Sequence, residues 1–222
     1  MNNLVDFLSH TVEYVNLGWN APTISFVGTI FLTIFQGWSL FKQSAAIWKN
    51  RSGEPIFTSL FVYSASYSGM LVVYGILQGR IANIFNGLLF IPYLVVVFSL
   101  YRFRNFSQTD KLASFIFPLL IPAMFIWESS YGRELFFFFG AALVVVPIIG
   151  QTRKLSRVGQ VGSIEPSYVI SLMTSNLFWA VYGISTGDWA MSILNPVSFV
   201  ILVCFLTWYY TFKKLRVEKK GG

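Results

Sequence analysis

Seven apolar runs divide this chain, and no other feature restricts its fold as strongly. Each is roughly 17 to 25 residues long, the length at which an α-helix rising 1.5 Å per residue crosses about 30 Å of hydrocarbon. They cover residues 25–47, 55–77, 81–101, 112–127, 134–150, 166–185 and 189–212. Of the 222 residues 55% are hydrophobic and only 11% charged, which excludes an ordinary soluble domain. The expected class is an all-α integral membrane protein with seven transmembrane helices. The segment before the first run lacks the basic start and small-residue cleavage site of a signal peptide. Its Leu4, Val5, Leu8, Val12 and Val15 fall at helical spacing and predict one short interfacial helix.

The net charge of +7 has a topological origin. Of the 16 Lys and Arg, only Arg80 and Arg133 fall on one side of the predicted membrane. The other 14 follow the first, third, fifth and seventh runs. The positive-inside rule then puts the N-terminus outside and the C-terminus in the cytoplasm, and removes nucleic acid as a partner. Cys204 and His10 are the single residues of their types, so no metal-binding cluster is expected. No nucleophile is paired with a base either, so neither an enzyme nor a cofactor is expected.

The chain also repeats itself. "VVYGILQGR" is answered by "AVYGISTGD", and "IFNGLLF" by "ILNPVSF". Gln43 to Tyr74 and Gln151 to Tyr182 are both 31 positions apart, and Gly75 and Gly79 map onto Gly183 and Gly187 with an offset of 108. Asn86 and Asn195 differ by 109, and Pro55 and Pro166, each closing a Ser-x-Glu-Pro tetrad, by 111. A unit of three spans ends on the side opposite its start, so two such units run parallel only if a single span separates them. The fourth run supplies that span. The organisation expected is a possible interfacial segment (1–24), repeat one (25–104), a linker helix (105–133), repeat two (134–213) and a basic tail (214–222).

With these motifs the sequence resembles the SWEET and PQ-loop transporter superfamily, whose seven-span members share the three, one, three plan. The likeness rests on Pro147, Pro166, the "NLFWAVYG" stretch holding Asn176, Trp179, Tyr182 and Gly183, then Asp188 and Asn195. In repeat one it rests on Gln43, Ser52, Tyr74, Gly75 and the Asn86-Gly87 pair. Lys42-Gln43 and Gly150-Gln151 stand where the family pattern has Pro-Gln. Ser39 matches Pro147, Leu71 matches Trp179, and Pro196 follows its asparagine, whereas the pattern places the proline before it.

Asn86 and Asn195, at matching places in the third span of each repeat, each offer two donors and an acceptor. From the residues alone such a pair makes either a polar solute site or an interhelical hydrogen bond. The resemblance implies the site, with Trp179 and Asn176 shaping it and Ser64 and Ser68 adding a polar stripe on the second span. It further implies gating near Pro147, Pro166, Pro196, Gln43 and Gln151, the two amides reaching backbone groups freed by a kink. The two Ser-x-Glu-Pro tetrads read as helix starts, with serine near the cap, glutamate favoured by the helix dipole and proline in the first turn. No acid lies deep in a span; Asp188, at the start of span seven, is the one possible proton site.

The function expected is facilitated transport of a small neutral polar solute, a sugar first by resemblance, through alternating access. Two alternatives stay open: a proton-coupled carrier of an amino acid or vitamin, and a receptor of the same fold that binds a peptide signal without transport. The partners expected are the solute and the lipid bilayer, with room for a homo-oligomer.

Overall fold

In the computed structural model, residues 2–54, 56–158 and 164–221 are described, so the tetrad residues Pro55 and Ser163 fall outside. Among the described residues seven helical stretches are long and apolar enough to cross a membrane. These are span one (Ala21–Asn50), span two (Thr58–Gln78), span three (Ile81–Phe103), span four (Gln108–Ile126), span five (Ser130–Gln151), span six (Pro166–Thr186) and span seven (Trp189–Thr211). The bundle has a basic end, carrying Lys42, Arg102 and Arg153, and a distal end, carrying Gln78, Arg80 and Ser130.

Span three packs between spans one and two, and span seven between spans five and six. The two sets meet through span one against span six and span two against span five, while span four lies along span two. The architecture is therefore two parallel three-helix repeats joined by an inverting linker. Two apolar clusters hold it together. One, toward the basic end, includes Leu40, Ile47, Phe61, Leu100 and Phe205. The other, toward the distal end, includes Met70, Tyr74, Phe137, Trp179 and Tyr182.

The distal turns show the repeat most directly. Spans two and six end on Gly79 (φ 62°) and Gly187 (φ 71°), a left-handed conformation in which glycine carries no Cβ penalty. The next residue of each donates back to Gly75 O or Gly183 O at 2.8 Å. A side chain at Gly75 would come within 2.7 Å of the Ile84 backbone nitrogen, and one at Gly183 within 2.8 Å of that of Ser192. Both hairpins need a hydrogen there.

Proline explains where spans break. Pro147 has no N–H for the Leu143 carbonyl, and its ring crowds that group. Leu143 O accepts from Val146 instead, and the helix is interrupted at Leu143 and Val144. Span three is interrupted in the same way at Leu88 and Leu89, four residues before Pro92. Span four alternates between α and 3-10 turns around Pro118 and Pro122. Span one, with Ser39 in place of a proline, is unbroken. Span seven runs through Pro196 without a break, so the hinge expected there takes no visible form. Pro166 opens span six from its first helical position.

Two local expectations are corrected. The N-terminal segment forms two helices, Asn2–Ser9 and Val12–Val15. Ser9 and Thr11 turn their hydroxyls onto the Asp6 and Leu8 carbonyls, offering the backbone an alternative to continued helix. Span two begins at Thr58, three residues later than its tetrad proline, and Phe57 at its cap position makes no side-chain cap. At span six the cap is Glu165, which accepts from Ser167 N, and the tetrad serine lies outside the described residues.

Candidate functional site

A cavity of about 100 Å³ lies where the two apolar clusters part. The repeat register assembles its wall. With an offset of 108, Ser64, Tyr67, Ser68 and Leu71 of span two correspond to Leu172, Ser175, Asn176 and Trp179 of span six, and all eight line it. With an offset of 109, Asn86, Leu89 and Tyr93 of span three correspond to Asn195, Ser198 and Leu202 of span seven, and these line it too. Spans two and six each present one helical face at i, i+3, i+4 and i+7. The fold thus brings Asn86, Asn195, Asn176, Trp179, Ser64 and Ser68 to one place.

The two asparagines are not equivalent in their bonding. Asn86 Oδ1 accepts from Thr33 Oγ1 of span one at 3.1 Å. Asn195 Nδ2 turns back on its own helix, donating to Met191 O at 2.8 Å. The exposed ends are therefore an amide N–H on Asn86 and an amide oxygen on Asn195. The Trp179 ring stands edge-on to Tyr182 at 5.4 Å, and its Nε1 has no partner. No lining residue carries a charge.

Toward the distal end the cavity is shut by buried charge. Arg80 and Asp188, which occupy equivalent positions of the two repeats, form an ion pair at 3.0 Å, with Asp188 0% exposed. Burial works against the Arg80 charge, but Asp188 beside it, together with Tyr74, Tyr182 and Glu134, more than offsets this and holds the guanidinium above its ordinary pKa. Asp188 also caps span seven, accepting from Met191 N at 3.0 Å, and takes the Tyr74 hydroxyl at 3.1 Å.

Repeat one has an arginine where that carboxylate would stand. The N-terminal segment supplies it instead. Glu13 accepts from Ile81 N and Ala82 N, both at 2.9 Å, at the start of span three, and takes the hydroxyl of Tyr182, the repeat-equivalent of Tyr74. Val12 N donates to Gly79 O at 3.0 Å and fixes the segment in place. Each carboxylate thus caps one repeat and receives a tyrosine from the other.

At the basic end Arg104 pairs with Asp110 and Glu54 within repeat one and its linker, and uncharged side chains join the two repeats. Gln43 Oε1 accepts from Glu165 N at 2.8 Å and Gln151 Oε1 from Phe57 N at 2.5 Å. Each glutamine therefore caps the helix start of the opposite repeat. Between them and the central cavity lies a second one of about 60 Å³, mostly apolar, lined by Ile56, Phe61, Ile164 and Phe205 among others. Gln36 donates to Tyr93, whose hydroxyl meets that of Tyr168 at 3.2 Å, at the junction of the two cavities.

Asp188 lies outside the cavity wall and within the ion pair, so it is not a free carboxylate. Glu13, Arg80, Asn83 and Pro92 were not among the sequence-derived site residues. For Arg80 the signal was present: the 108 offset pairs it with Asp188.

No family model and no curated protein matches the chain. A solved structure of a eukaryotic SWEET transporter does, at a TM-score of 0.58 and 15% identity, over 87% of this chain and 97% of that one. With seven apolar spans arranged in this way, the chain is a multi-pass integral membrane protein with the SWEET transporter fold.

Proposed function

We propose that the protein is a facilitative transporter of a small neutral polar solute, with sugars the leading class, working by alternating access. The observation that carries this is the central cavity: uncharged, with amides and hydroxyls set in a mainly apolar wall, and built from equivalent faces of the two repeats. Asn86 and Asn195 present a donor and an acceptor to hydroxyls, Asn176 and Ser68 extend the polar wall, and the Trp179 indole offers a face to a sugar ring and an unpaired N–H. A cavity of about 150 Å³ holds one benzene ring, so at about 100 Å³ this one admits a hexose only when the repeats part.

The basic end faces the cytoplasm by the distribution of Lys and Arg. The repeats rock about the cavity, alternately opening the Arg80–Asp188 closure and the glutamine closure. The break before Pro147 gives repeat two a hinge. Proton coupling is disfavoured because the wall holds no titrating carboxylate and Asp188 is committed to Arg80.

Counterflow uptake into proteoliposomes over a panel of hexoses, disaccharides, amino acids and nucleosides, with and without a proton gradient, tests this reading. The expected result is gradient-independent exchange of a sugar that Asn195→Ala abolishes. Uptake that requires the proton gradient sinks the facilitator. Silence across the panel sinks transport of these solutes and favours a receptor.

A further inference from the structure

Among the described residues, the buried side-chain nitrogens and oxygens that lack a hydrogen-bond partner are Arg80 Nε, Asn83 Nδ2, Asn83 Oδ1 and Trp179 Nε1. They are not scattered. Arg80 belongs to the distal ion pair, Trp179 to the cavity wall beside Tyr182, and Asn83 lies between Arg80 and Asn86 along span three. The spacing of three residues on either side puts Asn83 on nearly the same helical face as both, about 4.5 Å along the axis from each. Among the described residues no buried side-chain nitrogen or oxygen in the other half of the bundle is without a partner. Trp48 Nε1 there donates to Ser99 Oγ at 2.9 Å, Ser99 pairs with Ser44 at 2.7 Å, and Gln36 donates to Tyr93.

Asn83 is the sharpest case, 0% exposed with neither end of its amide bonded. A carboxamide kept in that state costs stability, and a leucine of similar size would remove the cost. Proteins give up stability of this kind where function requires it. We propose that Asn83 is a polar relay site for the solute on its passage between the distal mouth and the central cavity, with Trp179 Nε1 as the hand-over donor. The class of ligand is that of the cavity, a neutral solute carrying hydroxyl or amide groups, because a carboxamide offers both a donor and an acceptor. This inference rests on the transport reading.

When the Arg80–Asp188 closure opens, the amide of Asn83 becomes the first uncharged hydrogen-bonding group below it. A solute leaving water there exchanges its water contacts for Asn83, then for Trp179, then for Asn86 and Asn195. In the closed form Asp188 is engaged by Arg80, Tyr74 and Met191 N while Arg80 Nε has no partner, so opening the pair frees further polar groups along the path.

Two variants test this. In a Cys204→Ser background, Asn83→Cys is treated with a membrane-impermeant thiol reagent from the distal side of sealed vesicles, with and without the solute that the wild type exchanges. Modification slowed several-fold by that solute is expected. Asn83→Leu is expected to keep or raise the thermal midpoint in detergent and to lower exchange by about tenfold, while equilibrium binding of the solute at the cavity changes by less than about twofold. Asn83→Leu exchanging at the wild-type rate overturns the relay, as does a transporting protein in which the cysteine at 83 is never modified. Modification that no solute slows means water alone reaches the site and also overturns it. If Asn83→Leu does not fold, the labelling decides. A wild type that exchanges nothing on the panel is a failure of the transport reading, and it is distinguished by being seen before either variant is made.

Discussion

The two ends of the bundle are closed by the same symmetry used in opposite ways. At the basic end the equivalent positions hold the same residue, Gln43 and Gln151, and each side chain accepts a backbone N–H of the other repeat. A side-chain amide meeting a backbone group is complementary to it, so identity works. At the distal end the equivalent positions hold Arg80 and Asp188, which face each other. Two identical charges buried at that distance would repel, so a direct contact across the pseudo-axis has to be filled asymmetrically. The asymmetry has a consequence for the rest of the distal end. Arginine cannot cap span three as Asp188 caps span seven, and Glu13 arrives from outside the repeats to do so.

The largest effect should come from breaking the asymmetric pair. Arg80→Met leaves Asp188 fully buried without its partner and should cost about 3 to 5 kcal/mol, read from thermal or denaturant unfolding in detergent. Because the two positions are equivalent, exchanging the charges in Arg80→Asp with Asp188→Arg should recover much of that loss. The exchanged protein would also carry a carboxylate at the natural cap position of span three, which should make Glu13 less important. If the exchanged protein is as unstable as Arg80→Met, the positions are not equivalent and the comparison fails.

Next in size is Glu13→Ala. It removes the acceptor of two backbone N–H groups and the Tyr182 hydroxyl at once, and a hydrogen bond to a charged group has a net worth of about 1.5 to 3 kcal/mol. Water at the distal surface meets part of the need, so a net loss of about 2 kcal/mol is expected. Glu13→Gln keeps one oxygen and should fall between Glu13→Ala and the wild type. A Glu13→Ala protein as stable as the wild type would show that the N-terminal segment only rests on the bundle.

Much of this was legible in the sequence because it is periodic. Run length announced the seven spans, the spacing of Tyr74, Gly75 and Gly79 against Tyr182, Gly183 and Gly187 announced the repeat, and the two registers together placed the six expected residues on one cavity wall. What escaped is what periodicity does not carry. Glu13 precedes the first repeat and so has no counterpart to draw attention to it. Arg80 and Asp188 share a position but not a chemistry, and likeness of residues is blind to a pair that works by being unlike. The glutamines were found, but their partners are backbone N–H groups with no sequence signature, and those partners lie 122 and 94 residues away. The break at Leu88 and Leu89 follows from Pro92, which the repeat does not duplicate in span seven.

The smallest effects, at the basic end, give the sharpest test of the comparison. Gln43→Leu and Gln151→Leu each deprive one helix start of an acceptor, and each should cost about 1 kcal/mol, the net worth of one neutral hydrogen bond. The informative quantity is the double variant. Each glutamine caps a different helix, one starting span six and the other span two, so the two losses should add to within about 0.5 kcal/mol. At the distal end Arg80 and Asp188 touch each other, so Arg80→Met with Asp188→Leu should cost far less than the sum of the two single changes. Most of each single loss is the stranded charge, which the double change removes. Additivity at one end and strong coupling at the other is what separates two independent caps from one shared contact. Coupling of similar size at both ends would mean that the glutamines also act as a unit, and the basic end would then be a single latch in spite of its symmetric chemistry.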